Sequence, residues 1–363
     1  MGAASHRLFA ALHQALERIF PDDLELWNLR TSLDTLIALR DAEWAARLAT
    51  ALAPYWRRRE RLAEGRERFE AVLALPGASP KVRAGALYAA CLLGVEGANA
   101  RPLVEESAAL YRQLGDDHAA VVVLNALAVS CQSTGDIAAA QRYLEEALAD
   151  ARRLGDAESV ARCLNNLASV AHSAGDPAEA LRLYEECRAA FEQSGDRVGV
   201  AWALDQQGDA ARDLGDVGRA RAFYEGSLAI FRELDDRGGV ATALTDLARL
   251  AHQEGDLPRA RECCREAVAI GAMASQHAVV RLLEELAGLA AASHEPERAL
   301  VLMAAASGLR ARLGRAVPAP ERRRIESLIE DQRAALGAGA VAAWSQGWRM
   351  TVEEAMAFAR AGA

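Results

Sequence analysis

The sequence predicts an all-α protein, a solenoid of antiparallel helix pairs closed by more divergent helices at either end. Three observations predict it. A Gly-Asp pair recurs on a twenty-residue grid, the stretches between the pairs are amphipathic with a helical period, and alternate stretches carry different patterns of small and large residues, so that the unit is a pair.

The grid comprises Gly115-Asp116, Gly135-Asp136, Gly155-Asp156, Gly175-Asp176, Gly195-Asp196, Gly215-Asp216 and Gly255-Asp256, with Asp235-Asp236 at the vacant node. Glycine just past a helix end takes the left-handed conformation that satisfies the last carbonyls. The aspartate that follows caps the next helix. A helix of roughly 14 residues and a tight turn fill each interval.

First helices of each pair read Leu-x-x-Leu-Ala: Leu124, Leu127 and Ala128; Leu164, Leu167 and Ala168; Leu244, Leu247 and Ala248. Second helices place a small residue after the turn and a larger one four later, as in Ala140 and Leu144, Ala180 and Tyr184, Ala220 and Tyr224. Small residues let backbones approach while large ones fill the gap, the requirement of close helix packing. Hairpins that bury each other in succession form a solenoid.

These residues resemble tetratricopeptide repeats, with the W-x-x-L-G-x-x-Y and A-x-x-x-F-x-x-A skeleton occupied by smaller residues and a period nearer forty. The resemblance implies a right-handed α-α superhelix and says little about which ligand is bound. Repeats run from Ser79-Pro80 to about Leu313, giving an expected division into divergent helical pairs (1–76), repeats (77–313) and capping helices (314–363). Val95-Glu96 stands in for one Gly-Asp turn, and the last pair loses a residue and turns at His294-Glu295-Pro296.

Before the repeats, residues 5–20 read as a helix ended by Pro21, then two helices broken at Arg40-Asp41, and a fourth from Arg61. Trp27-Asn28-Leu29-Arg30, Ala45 to Trp56, and Leu62-Ala63-Glu64-Gly65-Arg66 resemble the segment that leads into the C-terminal repeats of large bacterial transcription regulators of the AfsR-like, LuxR-type and NB-ARC-containing groups. The tail is similar to the closing segment of the same regulators. There Ala316 to Pro320 reads as a rigid break, Glu321 to Leu336 as a helix, Trp344 and Trp348 as anchors on the final repeat, and Thr351 with Glu354 as a capping box. Neither a Walker A motif nor a DNA-reading helix-turn-helix can be placed in the chain.

A net charge of −9 over 363 residues argues against nucleic-acid backbone binding. No apolar run approaches the roughly 20 residues that cross a bilayer, and the first twenty residues lack the apolar core of a secretory signal, so a cytoplasmic protein without membrane contact is expected. Met1-Gly2 suggests myristoylation, but His6 stands where Ser or Thr is wanted. Cys91 and Cys131 occupy a repeat position held elsewhere by Ala171, Ala211 and Ala251, so they read as small core side chains; no cofactor and no metal site is expected.

Functional contacts are sought on the concave side, lined by first helices. The inward column holds Val122, Asn125, Val129 and Gln132; Arg162, Asn165, Ser169 and His172; Trp202, Asp205, Asp209 and Arg212; and Thr242, Thr245, Arg249 and His252. Asn125, Gln132, Arg162, Asn165, Ser169, Trp202, Asp205, Asp209, Arg212 and Arg249 are the expected partner-binding residues. Asn125 and Asn165 carry both donor and acceptor and suit a peptide backbone. The same residues could equally solvate the groove or bond to neighbouring helices. Asp205, Asp209 and Asp213 form one helical stripe, read as carboxylates on a solvated face, with no nucleophile and base beside them, so no catalytic residue is expected. Arg57-Arg58-Arg59-Glu60-Arg61 reads as a solvated turn. The implied functions are a protein-interaction module for a protein, a peptide or a second copy, or the effector-sensing part of a bacterial signalling regulator.

Overall fold

A computed structural model describes residues 23–58, 61–94, 101–270, 276–313 and 319–361. The described residues hold helices and turns and no strand: α1 (Asp23–Ala38), α2 (Ala42–Arg58), α3 (Leu62–Leu73), α4 (Pro80–Leu92), α5 (Arg101–Gln113), α6 (Asp117–Ser133), α7 (Ile137–Leu154), α8 (Ala157–Ser173), α9 (Pro177–Ser194), α10 (Arg197–Asp213), α11 (Val217–Glu233), α12 (Arg237–Gln253), α13 (Leu257–Ile270), α14 (Gln276–Ala292), α15 (Pro296–Arg312), α16 (Ala319–Leu336), α17 (Ala340–Trp348) and α18 (Val352–Arg360). None is long and apolar enough to cross a membrane. The chain forms two compact units, Met1–Val170 and Ala171–Ala363.

The joints are built as the grid requires. Each glycine of the grid has positive φ, and Asp235 fills the vacant node with φ 54°. Each aspartate then accepts a hydrogen bond from the backbone N–H three residues on, among them Asp176 from Glu179 at 3.0 Å and Asp196 from Gly199 at 2.9 Å. Because only about three residues lie between helices, α6 to α12 run to 17 or 18 residues, longer than the spacing suggested. His294, with φ 59°, makes the turn of the last pair. The expected helix at 5–20, the turn at Val95-Glu96 and the middle of the arginine-rich turn lie outside the described residues.

Packing follows the small-and-large alternation. Tyr224 of α11 is fully buried where a β-carbon at position 208 would collide with its ring, so glycine stands at 208. In the first unit Trp56 is buried edge-on to Phe69 with ring centroids 6.0 Å apart, and Gly65 lies against it. Cys131, Cys163, Cys187, Cys263 and Cys264 are buried thiols and Cys91 is half-buried.

The C-terminal cap differs from expectation. Helix α16 begins at Ala319, taking Pro320 into its first turn, where the missing N–H is no loss. Helix α17 docks by Ala340, Ala343 and Gly347, with Trp344 packed against the core as expected but Trp348 not: a β-carbon at Gly308 of α15 would sit 2.5 Å from the Trp348 carbonyl oxygen. Backbones this close leave no room for an indole between them, so the ring of Trp348 stays exposed while Trp344 is half-buried. Thr351 and Glu354 form the expected capping box.

Two substitutions test this account. Gly208→Ala should destabilise the protein by about 1–3 kcal/mol in denaturant unfolding, because the added methyl must displace a buried ring. Asp235→Gly should stabilise it by about 0.5–1 kcal/mol, because the left-handed conformation then carries no side-chain penalty.

Candidate functional site

Residues spaced three and four apart share one helix face, and on α6 and α8 that face carries the expected column. In the first unit Val122, Val129 and Arg162 are exposed, while Asn125, Gln132, Asn165 and Ser169 are half-buried. Tyr88 of α4, Val122, Asn125 and Val129 of α6, and Ser159 and Arg162 of α8 line a cavity of about 180 Å³. Burial, reinforced by the neighbouring Cys91, pushes the Tyr88 phenol up, so it remains a neutral hydroxyl at physiological pH.

Part of the column is engaged sideways. Asn166 Nδ2 donates to Asn125 Oδ1 at 2.9 Å, and Gln132 Nε2 donates to Ser169 Oγ at 3.0 Å. The guanidinium of Arg162 reaches Glu158 at 3.0 Å across one helical turn. Asn166 was not among the expected contacts, although the Asn165-Asn166 doublet placed an amide beside the column. These bonds tie α6 to α8 and leave the apolar surfaces of Val122 and Val129 as the uncovered part of the face.

The second unit overturns the reading of a solvated acidic stripe at Asp205 and Asp209, while Asp213 is exposed as expected. Asp205 is 0% exposed, and neither of its carboxylate oxygens has a hydrogen-bond partner among the described residues. Asp209 accepts from the Tyr224 hydroxyl at 2.8 Å and meets Arg212 at 2.9 Å. From α14, Arg281 bonds to Asp246 of α12 and comes within 3.9 Å of Asp209 on α10, spanning three first helices. Helix α12 is buried from Gly239 to Ala251, including Thr242, Thr245, Asp246 and Arg249. Asp209, Arg212 and Arg249, with Asp246 and Arg281, therefore form a closed ionic cluster and not an open groove, and Asp205 is buried beside it. Carboxylates at i and i+4 look solvated in sequence; here a guanidinium from another helix covers them.

Trp202 remains exposed, edge-on to Phe231 with centroids 4.9 Å apart. Thr242 and Thr245 hydroxyls donate to carbonyls of their own helix, Gly238 at 3.1 Å and Ala241 at 2.7 Å. The sequence column stopped short of Asp246, Arg281 and the buried Arg310–Glu284 pair. Carrying the repeat phase into α14, with its one-residue loss, would have found Arg281 and Glu284.

Charge states follow from burial and neighbours. Burial, and then the charges of Asp246 and Asp209, hold the Asp205 carboxyl well above the usual carboxylate range. Burial also raises Asp209, but Arg212, Arg281 and Arg249 outweigh it and keep that carboxylate ionised. His172 lies 2.7 Å from Asp213, and the hydrogen bond between them raises the imidazole despite burial. His252 meets Glu285 at 2.6 Å, so the two histidines serve separate carboxylates. Among the described residues no group of three or more His, Cys, Asp or Glu is placed to hold a metal ion.

A second cleft, of about 530 Å³, lies between α15, α17 and α18, lined by Glu295, Arg298, Val301, Leu336, Gln346 and Phe358. Its guanidinium is engaged: Arg298 donates to the Ala359 carbonyl at 3.0 Å and lies 5.4 Å from the Phe358 ring centroid.

A group that is neutral when folded and ionised when unfolded loses stability as pH rises from its ordinary value toward its raised one. Asp205→Asn should therefore raise the thermal midpoint near pH 7–8, and the gain should shrink as pH falls through about 4 toward about 3, where the parental carboxyl is protonated in both states. Calorimetric scans of both proteins across that range check this, and a gap that does not change with pH contradicts it.

Solved structures share this fold. The apo form of RapI is 13% identical, with a TM-score of 0.58, covering 90% of this chain and 96% of that one. The apo quorum sensor NprR from B. thuringiensis is 14% identical, with a TM-score of 0.53 and 89% and 97% covered. A Rap protein in complex with competence and sporulation factor is 13% identical, with a TM-score of 0.52 and 86% and 99% covered. No curated protein matches the sequence. The tetratricopeptide repeat model matches residues 84–153, 120–193, 159–233 and 199–272, together more than half of the chain, and the chain belongs to the tetratricopeptide repeat family.

Proposed function

We propose that this chain is a non-catalytic interaction module that binds a protein or peptide segment on the first-helix face of its first unit. The observation that carries the reading is the exposed Val122–Val129 surface beside a cavity of about 180 Å³. Pockets that enclose small molecules run to about 300–1,000 Å³, so this one suits a single side-chain anchor of a segment laid across the face. Around it Arg162 and the amides of Asn125 and Asn165 can engage main-chain groups, which supply orientation while the apolar contact supplies affinity. Of the expected residues, Asn125, Gln132, Arg162, Asn165 and Ser169 stand at this face; Trp202 is a separate exposed contact, Asp209, Arg212 and Arg249 act by holding helices, and Asp205 is buried beside them.

A second reading, an effector-sensing part of a bacterial signalling or transcription regulator, is favoured by the cleft of about 530 Å³ at the C-terminal cap, which lies within the small-molecule range. The resemblance to the repeats of AfsR-like and LuxR-type regulators, and the fold shared with the quorum sensor NprR, support it in the same sense.

Affinity capture from native cells separates the two. The intact chain should retain a defined protein set that Val129→Asp loses by about tenfold, with an unchanged thermal midpoint, because a carboxylate in the contact must be desolvated on binding. Identical capture by both proteins removes this face from the site, and a thermal shift with small molecules that Phe358→Ala abolishes establishes the second reading instead.

A further inference from the structure

Many arginines in the repeats find carboxylates. Arg112, Arg153, Arg197, Arg219, Arg221 and Arg232 each reach an aspartate or glutamate on or beside another helix. The outer face of α17 breaks this habit. Helix α17 buries Ala340, Ala343 and Gly347; on the flank about 100° round the helix, Val341 and Trp348 are exposed and Trp344 is half-buried against the core. Val341 is 76% and Trp348 42% exposed, and the Trp344 and Trp348 rings stack with centroids 6.2 Å apart and planes 27° from parallel.

A guanidinium stands at each end of this pair. Arg333 of α16 lies 4.8 Å from the centroid of Trp344. Arg312 of α15 donates to the carbonyls of Trp348 at 3.2 Å and Met350 at 2.6 Å. Neither meets a carboxylate among the described residues, in a chain whose acidic residues outnumber its basic ones by 51 to 42. Two cations flanking an uncovered aromatic ridge complement a ligand with an apolar anchor between carboxylates, where each charge-assisted bond forms against a low-dielectric surface.

We propose that the exposed Val341–Trp348 flank of α17, beside the half-buried Trp344, is a docking surface, distinct from the first-helix face, for an acidic protein segment that seats an apolar side chain on Trp348 and places carboxylates on Arg312 and Arg333. A single-stranded nucleic acid fits less well. The two indoles already stack on each other and leave no gap for a base, and a net charge of −9 opposes a polyanion longer than the patch.

Selection of a displayed library of short random peptides on the full chain tests the proposal. Enriched peptides should be acidic around a Leu, Ile, Phe or Trp. Their binding, followed by fluorescence anisotropy, should weaken at least about tenfold with Trp348→Ala, less with Arg333→Gln, and with rising salt. Trp348 is exposed and outside the core, so the variant should keep the parental thermal midpoint; Trp348→Phe should restore binding. No enrichment, enrichment of basic peptides, binding unaffected by Trp348→Ala, or competition by oligothymidylate overturns the proposal. A concentration-dependent dimer abolished by Trp348→Ala also overturns it, because the occupant is then a second copy. Peptides sensitive to Val129→Asp and not to Trp348→Ala assign binding to the other face.

Discussion

The hydrogen bond from a backbone N–H to the aspartate three residues before it is the contact on which the rest of the structure depends. The joints at Asp116, Asp136, Asp156, Asp176, Asp196, Asp216, Asp236 and Asp256 all make it, at 2.9 to 3.3 Å. Each is worth about 1 kcal/mol, small beside the burial of a helix face. Its larger consequence is geometric. A joint limited to about three residues keeps each helix start in phase with the last, so residues forty apart fall on the same face, and columns along successive first helices can exist.

What could be read from the sequence follows from that phase. Helix order and the turns at Arg40, Asp235 and His294 are consequences of local chemistry, since a capping residue acts on atoms within a few residues. The fate of a polar side chain is different. Asn125 and Asp205 occupy equivalent positions, yet one is half-buried and bonded to Asn166 while the other is sealed from water. Beside Asp205, Arg281 reaches Asp209 and Asp246 from a third helix seventy-odd residues away, a contact that no periodicity within α10 encodes. Trp348 shows the converse: its size suggested an anchor, but the close approach of Gly347 and Gly308 had already taken the buried side.

The ionic cluster needs an explanation other than stability. Replacing buried ion pairs with packed apolar residues is often neutral or stabilising, because taking the charges out of water costs several kcal/mol per ion. Arg281, Asp246, Asp209 and Arg212 are connected by geometry that holds only if α10, α12 and α14 stand in one register. A sliding displacement of one helical turn, which leucine and alanine faces would tolerate, leaves a guanidinium facing no carboxylate. The cluster thus specifies alignment where the apolar contacts are permissive.

The same reasoning separates the two uncovered surfaces from the rest of the exterior. A surface arginine paired with a carboxylate is already balanced, and such pairs contribute about 0–1 kcal/mol, so the ladders along the repeats neither stabilise the fold much nor invite a ligand. At Val122 and Val129, and again at Trp348, apolar area is left in water beside polar groups that still have capacity to bond. Leaving a large side chain exposed forfeits about 1.5–3 kcal/mol of burial, a penalty the fold avoids at Tyr224, Phe231 and Trp56.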